Sequence, residues 1–180
     1  MRVLSAKNYV TTKWSGGTTT QLYIYPEDSD YSKRNFSWRV STARIDDETS
    51  DFTSLPGVKR WILPITGDLD LDVEGDKVHL KPFQTYCFDG GLPVRSSGRI
   101  RDFNLMLSEG WQGSVEVLEV HRSLRLKEGF YYLPPEQGDV RAVMIDDDGE
   151  ELIAVQGNCI YMEEGEKEAI FDRACKVFFI

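Results

Sequence analysis

The sequence predicts an all-β protein, built as a sandwich or a barrel, and three observations support this. Short runs rich in β-branched and aromatic residues recur along the whole chain. Turns containing glycine or proline separate these runs, and no stretch shows the 3.6-residue apolar period of a long amphipathic helix. A chain of 180 residues can bury a substantial core as one domain or as two small fused halves.

The predicted strands follow one another closely. In chain order they cover residues 19–25, 36–45, 59–64, 68–73, 77–80, 85–88, 102–107, 115–120, 129–133, 140–145, 152–155, 159–162, 168–171 and 176–180. Turn signals such as Pro56-Gly57, Asp89-Gly90-Gly91 and Asp148-Gly149 lie between them. A helical turn is expected only within 46–54.

The stretch KWSGGTTTQLY, residues 13–23, resembles a glycine-rich loop at first sight. A phosphate-binding loop needs spaced glycines followed by Lys-Ser/Thr, or spaced glycines that open a helix. Gly16 and Gly17 are adjacent, no lysine follows them, and the next residues favour an extended chain. The stretch is therefore predicted to be a turn that leads into a strand.

Charge and composition exclude several classes of partner. The chain has 30 acidic and 21 basic residues, a formal net charge of -9, which argues against nucleic acid and anionic membranes as partners. No segment approaches the roughly 20 apolar residues of a membrane span, and no signal peptide is evident. Three separated cysteines flanked by apolar residues are typical of buried free thiols in a reducing compartment. A soluble, cytoplasmic protein is expected.

An internal repeat is suggested by shifting the chain by about 90 residues. This shift sets residues 62–80 over residues 152–170, with Gly67 on Gly157, Gly75 on Gly165 and Lys77 on Lys167. Each copy then consists of strands joined by an acidic, glycine-containing turn. Duplication predicts two half-barrels or two stacked jelly rolls, which close their own sheet edges.

Polar residues inside two predicted strands are candidates for a site. In residues 36–45, Arg39 lies between two serines on the face opposite Trp38, and it either faces solvent or lines a barrel interior that suits a carboxylate. In residues 101–107, Asp102 and Asn104 share one face. An asparagine among apolar neighbours is usually a satisfied buried group or a site group, because an unpaired one costs about 1 to 3 kcal/mol.

Motifs for metal binding and nucleophilic catalysis are missing. The two histidines, His79 and His121, are far apart and lack His-x-His spacing, so neither a metal nor another cofactor is expected. No Gly-x-Ser-x-Gly elbow is present, and no catalytic residue is assigned.

Three ordered motifs resemble the HutD/Ves family. The matching residues are Trp38, Arg39 and Ser41, then Phe52, Ser54, Pro56, Gly57 and Arg60, then Asp102, Phe103, Asn104 and Met106. The resemblance implies a cupin-like double-stranded β-barrel with two modules in one compact unit of residues 1–180, here about 1–108 and 109–180. It also implies an accessory or regulatory role linked to histidine degradation, with binding of a small carboxylate such as a formylated glutamate.

The chain departs from the family pattern near its start. Family members carry a threonine followed by arginine and glutamate, where this chain has Thr19, Thr20 and Gln21. Any ligand contact made there is predicted to be neutral.

Two functions remain open on the sequence. The favoured one is a non-enzymatic protein that binds a carboxylate metabolite through Arg60 and Arg39, with Thr19, Gln21 and Asn104 as neutral hydrogen-bonding groups. The alternative is a metal-independent enzyme acting on a small acid or sugar, with Asp102 as general base and Arg60 as electrostatic stabiliser. Pairing of two copies into a homodimer through their sheets is also open.

Overall fold

The computed structural model describes all residues from Met1 to Ile180 and contains strands, two single-turn 3₁₀ helices and no α-helix. The strands are β1 (Arg2–Leu4), β2 (Val10–Trp14), β3 (Gly17–Tyr25), β4 (Trp38–Ile45), β5 (Thr49–Asp51), β6 (Val58–Thr66), β7 (Leu69–Val73), β8 (Asp76–Leu80), β9 (Tyr86–Asp89), β10 (Val94–Ser97), β11 (Arg101–Ser108), β12 (Glu116–Val120), β13 (Ser123–Leu126), β14 (Gly129–Tyr132), β15 (Arg141–Ile145), β16 (Glu151–Val155), β17 (Cys159–Met162), β18 (Lys167–Phe171) and β19 (Cys175–Phe179). The 3₁₀ turns span Tyr31–Lys33 and Pro135–Gln137. None of the helical segments has the length and apolar character needed to cross a membrane.

The all-β prediction is confirmed, and every predicted strand overlaps an observed one. The strands that sequence reasoning missed are short or polar, namely β1, β2, β5, β10 and β13. The expected helical turn within 46–54 is wrong, because Thr49–Asp51 forms β5 and pairs with β10. The backbone N–H and C=O groups of these residues form hydrogen bonds with β10, so they do not need the local hydrogen bonds of a helical turn.

The chain divides into two compact units. The first unit is Tyr9–Ser114, and the second combines Met1–Asn8 with Val115–Ile180. The sequence placed the boundary near residue 108 and assigned the N-terminus to the first module. Strand β1 instead pairs with β17, which puts the first residues in the second unit.

Each unit consists of two antiparallel sheets. The first unit has sheets in the order β2-β3-β4-β11-β6-β9 and β5-β10-β7-β8. The second unit has sheets in the order β1-β17-β14-β19-β12 and β13-β18-β15-β16. The order β4-β11-β6-β9 has its counterpart in β12-β19-β14-β17, and β5-β10-β7-β8 has its counterpart in β13-β18-β15-β16. The two units therefore share one strand topology.

The 90-residue register of the suggested repeat is wrong. That register sets β7 and β8 over β17 and β18, which lie in different sheets. By strand order β7 and β8 correspond to β15 and β16, and both pairs form antiparallel hairpins. Glycine turns recur along the chain, so the sequence match set the β7–β8 hairpin over two strands that do not pair with each other.

The KWSGGTTTQLY stretch forms a turn that leads into strand β3, as predicted. The unpredicted β2 pairs with β3 from Val10 opposite Gln21 to Trp14 opposite Gly17, so Ser15 and Gly16 form the turn of a hairpin. The carbonyl of Gly16 accepts hydrogen bonds from the backbone N–H groups of Asp46 and Asp47. The turn is thereby joined to the end of β4, which carries part of the site.

Candidate functional site

Three adjacent strands of the first unit place polar side chains on one face of a sheet. Met106 on β11 lies opposite Arg39 on β4 and opposite Arg60 on β6. Asn104, two residues earlier on β11, lies opposite Ser41 on β4. Because residues two apart on a strand share a face, these side chains point to the same side of the sheet.

This face forms the floor of a cavity of about 310 Å³. The cavity is small enough for a single metabolite, at the lower end of the range for ligand pockets. Its polar and charged lining consists of Thr12, Thr19, Arg39, Ser41, Ser50, Asp51, Thr53, Arg60, Asp102 and Asn104. Aromatic walls come from Trp14, Tyr31 and Phe52.

Arg39 is held by neutral partners. Its Nε donates to Gln21 Oε1 at 2.8 Å, and its Nη1 donates to Ser41 Oγ at 3.3 Å. Its guanidinium carbon lies 4.2 Å from the ring centre of Tyr31, within cation–π range. Burial lowers the pKa of Arg39 to about 10, and the nearby charge of Arg60 also lowers it. Arg39 therefore remains a cation at neutral pH.

Arg60 is even more enclosed. Its Nη2 donates to Asn104 Oδ1 at 3.0 Å, and its guanidinium carbon lies 4.7 Å and 5.3 Å from the ring centres of Phe52 and Phe88. Burial lowers the pKa of Arg60. Its Nε is buried and donates to nothing in the protein. An unsatisfied buried donor costs about 1 to 3 kcal/mol, so Arg60 has capacity for one more acceptor.

Asp102 is the buried carboxyl group of the cavity, with 1 % of its surface exposed. Its Oδ1 accepts a hydrogen bond from the Ala43 backbone at 3.1 Å. Burial raises the pKa of Asp102 to about 6, although the hydrogen bond from Ala43, the neighbouring Asn104 side chain and the charge of Arg60 oppose this rise. Asp102 therefore titrates close to physiological pH.

The positive charges of the site exceed what the protein supplies to balance them. The hydrogen bonds of Arg39 and Arg60 go to amide, hydroxyl and thioether acceptors, all of which are neutral. Asp102 is the buried carboxyl that the cavity provides against two guanidiniums. Asp51, the other acidic residue of the lining, is 77% exposed, so the buried part of the cavity is cationic inside a chain whose formal net charge is -9.

The structure brings together most of the site residues named from the sequence. Arg39, Arg60, Asn104 and Thr19 line the cavity, whereas Gln21 lies beside it and orients Arg39. The Trp14 Nε1 donates to Thr19 Oγ1 at 3.2 Å.

Sequence reasoning missed the aromatic walls of the cavity. Phe52 was identified only as part of a family motif, and Tyr31 lies in a 3₁₀ turn outside any predicted strand. The alternation of polar and apolar residues along strands gives no position for Tyr31, because tertiary packing brings its turn to the cavity.

The second unit has no comparable polar floor. Its equivalent strands β12, β14 and β19 contribute Val120, Tyr131 and Val177 to a cluster of buried hydrophobic residues. The Tyr131 hydroxyl is hydrogen-bonded to the backbone of Lys127. The two units share a strand topology, but the equivalent strands line a polar cavity in the first unit and an apolar core in the second.

Comparison with known proteins agrees with the all-β fold. The model of the HutD family matches residues 6–178. The chain belongs to the HutD family. Its three ordered motifs, inferred from the sequence as a HutD/Ves resemblance, are confirmed by this match, and the family links the chain to histidine utilisation. None of the curated proteins matches the chain by sequence.

Two solved structures resemble this HutD-family protein over nearly its whole length. One is the conserved protein of unknown function PA5104 from Pseudomonas aeruginosa PAO1, with a TM-score of 0.77, 22% identity, and coverage of 99% of this chain and 95% of that chain. The other is HutD from Pseudomonas fluorescens SBW25 in a formate condition, with a TM-score of 0.69, 25% identity, and coverage of 99% and 96%.

More distant structures show the cupin-like fold. Oxalate decarboxylase from Bacillus subtilis gives a TM-score of 0.62 at 8% identity, covering 99% of this chain and 76% of that chain. That protein is described as having Mn(II) centres. In this HutD-family chain, no three His, Cys, Asp or Glu side chains lie together in a group that could hold a metal ion.

Proposed function

We propose that this protein binds a small carboxylate metabolite in the first-unit cavity as an accessory or regulatory component of histidine utilisation. The observation that carries the proposal is the pair of buried guanidiniums, Arg39 and Arg60, whose hydrogen bonds go only to neutral acceptors. Arg60 also retains a buried donor without an acceptor. A carboxylate would supply both the missing charge and the missing acceptor.

Physical chemistry favours an anion over a neutral ligand. A buried charge costs several kcal/mol unless it is paired and hydrogen-bonded, and here two like charges share one cavity. The planar fork of a guanidinium matches the two oxygens of a carboxylate. The rings of Tyr31 and Phe52 hold the guanidinium planes, which reduces the ordering cost of binding.

A thermal-shift screen tests the proposal. Small carboxylates, including formate, glutamate and N-formylglutamate, are added to the wild type, with the corresponding amides and sodium chloride as controls. A ligand at 100 times its dissociation constant stabilises the folded state by about 2.7 kcal/mol, which raises Tm by roughly 5 to 10 °C. We expect at least one carboxylate, but no amide, to give a rise of this kind.

Arg39→Ala provides the matched variant for this screen. Loss of one guanidinium should reduce the rise in Tm at the same carboxylate concentration. Equal stabilisation by carboxylates and amides, or a rise that is unchanged in Arg39→Ala, would contradict the proposal.

A second candidate function is favoured by Asp102. A carboxyl group with a pKa of about 6 beside an arginine has the properties of a general acid or base, and Arg60 could stabilise developing negative charge. Under this alternative the protein is a metal-independent enzyme acting on a small acid or sugar. Incubation of the identified ligand with the protein, followed by NMR, should then show turnover that Asp102→Asn abolishes while ligand binding persists.

A further inference from the structure

We propose that the cavity binds a carboxylate together with a proton, which the buried Asp102 side chain takes up from solvent as the anion reaches Arg60. This inference rests on the proposed function and adds a second ligand, the proton, to it. Asp102 then determines how strongly the cavity attracts anions, although Arg39 and Arg60 make the contacts.

Asp102 and Arg60 lie in one buried polar group of the cavity, with Asn104 next to both. Asn104 Oδ1 accepts a hydrogen bond from Arg60 Nη2 at 3.0 Å. Asn104 and Asp102 are two residues apart on β11 and share a face of the sheet, and the Asn104 side chain lowers the pKa of Asp102. A change of charge at Arg60 therefore occurs within the buried group that contains the Asp102 carboxyl, in which Asn104 is 4 % exposed.

The other charged groups around Asp102 come from different elements of the first unit. Arg60 on β6 and Arg39 on β4 are cations, and both line the same cavity. Asp51 at the end of β5 also lines the cavity, but its side chain is 77% exposed and faces Arg95 at 3.8 Å. Asp51 is thus largely screened by solvent, so Asp102 is the acidic group that an incoming anion meets in the buried region.

The remaining surroundings of Asp102 are neutral. Its Oδ1 accepts from the backbone N–H of Ala43, and its backbone carbonyl accepts from Thr42 Oγ1 at 2.6 Å. No second carboxyl is available there to share the proton.

The direction in which pH changes the affinity for the anion follows from the charges in the cavity. In the unliganded cavity the Asp102 carboxylate offsets one guanidinium, and its pKa is about 6. A bound carboxylate adds negative charge to the cavity and raises that pKa, because like charges disfavour ionisation. At a pH between the pKa of Asp102 in the free protein and its higher pKa in the complex, the complex holds a proton that the free protein lacks. Affinity for the anion therefore increases as pH falls from 8 towards 6, and levels off below the pKa of the free protein.

The experiment uses formate as the probe, because formate itself ionises far below this pH range. The protein is labelled with ¹³C at the aspartate carboxyl carbons, and the Asp102 resonance is assigned by its loss in Asp102→Asn. The resonance is followed from pH 4 to 9 in sodium formate and in sodium chloride at equal ionic strength. Formate should raise the apparent pKa of Asp102 by about one unit, and formate should bind about fivefold more tightly at pH 6 than at pH 8.

Asp102→Asn is the matched variant, since an amide has almost the same shape and no titration. Its affinity for formate should be the same at pH 6 and pH 8. Equal affinity at both pH values in the wild type, with an unchanged Asp102 pKa, would overturn proton coupling and leave carboxylate binding intact. Absence of any formate-specific binding that depends on Arg60 would overturn both proposals. If Asp102→Asn fails to fold, the affinity of the wild type for formate at pH 6 and at pH 8 decides.

Discussion

Arg60→Ala is expected to weaken carboxylate binding at least thirtyfold. Arg60 is buried, lies against two aromatic rings and keeps an unsatisfied donor, so it is placed to meet an anion away from water. Loss of one partner of a buried, hydrogen-bonded charge pair costs about 2 to 5 kcal/mol. Isothermal titration calorimetry with the best carboxylate from the screen measures the change in dissociation constant.

Two control variants separate charge from geometry. Arg60→Lys keeps the positive charge but loses the planar fork, and it should give intermediate affinity. Arg99→Ala removes an arginine whose side chain is 67% exposed and paired with Glu48, so it should leave binding unchanged. If Arg60→Ala binds as tightly as the wild type, Arg60 does not contact the ligand. If Arg99→Ala weakens binding equally, only the overall charge matters.

Gly17→Ala is expected to destabilise the first unit by about 3 kcal/mol, the upper part of the range for overpacking. A Cβ at this position would lie 1.9 Å from the carbonyl oxygen of Arg44, in the neighbouring strand. The clash is with backbone, so β3 must move away from β4 where Gly17 pairs with Ile45. Urea denaturation monitored by tryptophan fluorescence measures the loss of unfolding free energy.

Gly113→Ala is the matched control for this prediction. A Cβ at Gly113 would meet Leu107 Cδ1 at 3.6 Å, which is an ordinary contact, so we expect a change below about 0.5 kcal/mol. Equal stability of Gly17→Ala and Gly113→Ala would show that β3 and β4 are not in the close register described here. Carboxylate binding should also weaken in Gly17→Ala, because β3 carries Thr19 and Gln21.

The fold was predictable because most of its strands carry their own signals. Alternating polar and apolar residues fixed the two faces of β4 and β11, and the structure places Arg39, Asp102 and Asn104 towards the cavity as that alternation indicates. Strand β2 is exposed along its whole length, so it is stabilised by pairing with β3 instead of by a buried apolar face. Such strands leave little pattern in the sequence.

The duplication shows the limit of short motifs. The two units share a strand order, yet the glycines that suggested a repeat aligned the β7–β8 hairpin with two strands of different sheets. Gly67 and Gly157 both have positive φ, at 71° and 81°, because each occupies a turn and not because the two turns are equivalent. Strand pairing, which depends on residues far apart in the chain, was needed to find the equivalent positions.

The chemistry of the site was only partly visible in the sequence. The arginines and Asn104 could be named because they interrupt apolar strands. The pKa of Asp102 could not be inferred, since it depends on complete burial, on the hydrogen bond from Ala43 and on the neighbouring Asn104 and Arg60 side chains. Likewise, Tyr31 reaches Arg39 only through folding.

Direct observation of the arginine side chains tests the central claim, that a carboxylate pairs with the buried guanidiniums. The Nε–Hε resonances of ¹⁵N-labelled protein are recorded while formate is added, with sodium chloride at equal ionic strength as reference. We expect saturable shifts for Arg60, whose Nε lacks an acceptor, and for its neighbour Arg39. Resonances of both arginines that stay unchanged at saturating formate, or that move equally in chloride, would contradict the account.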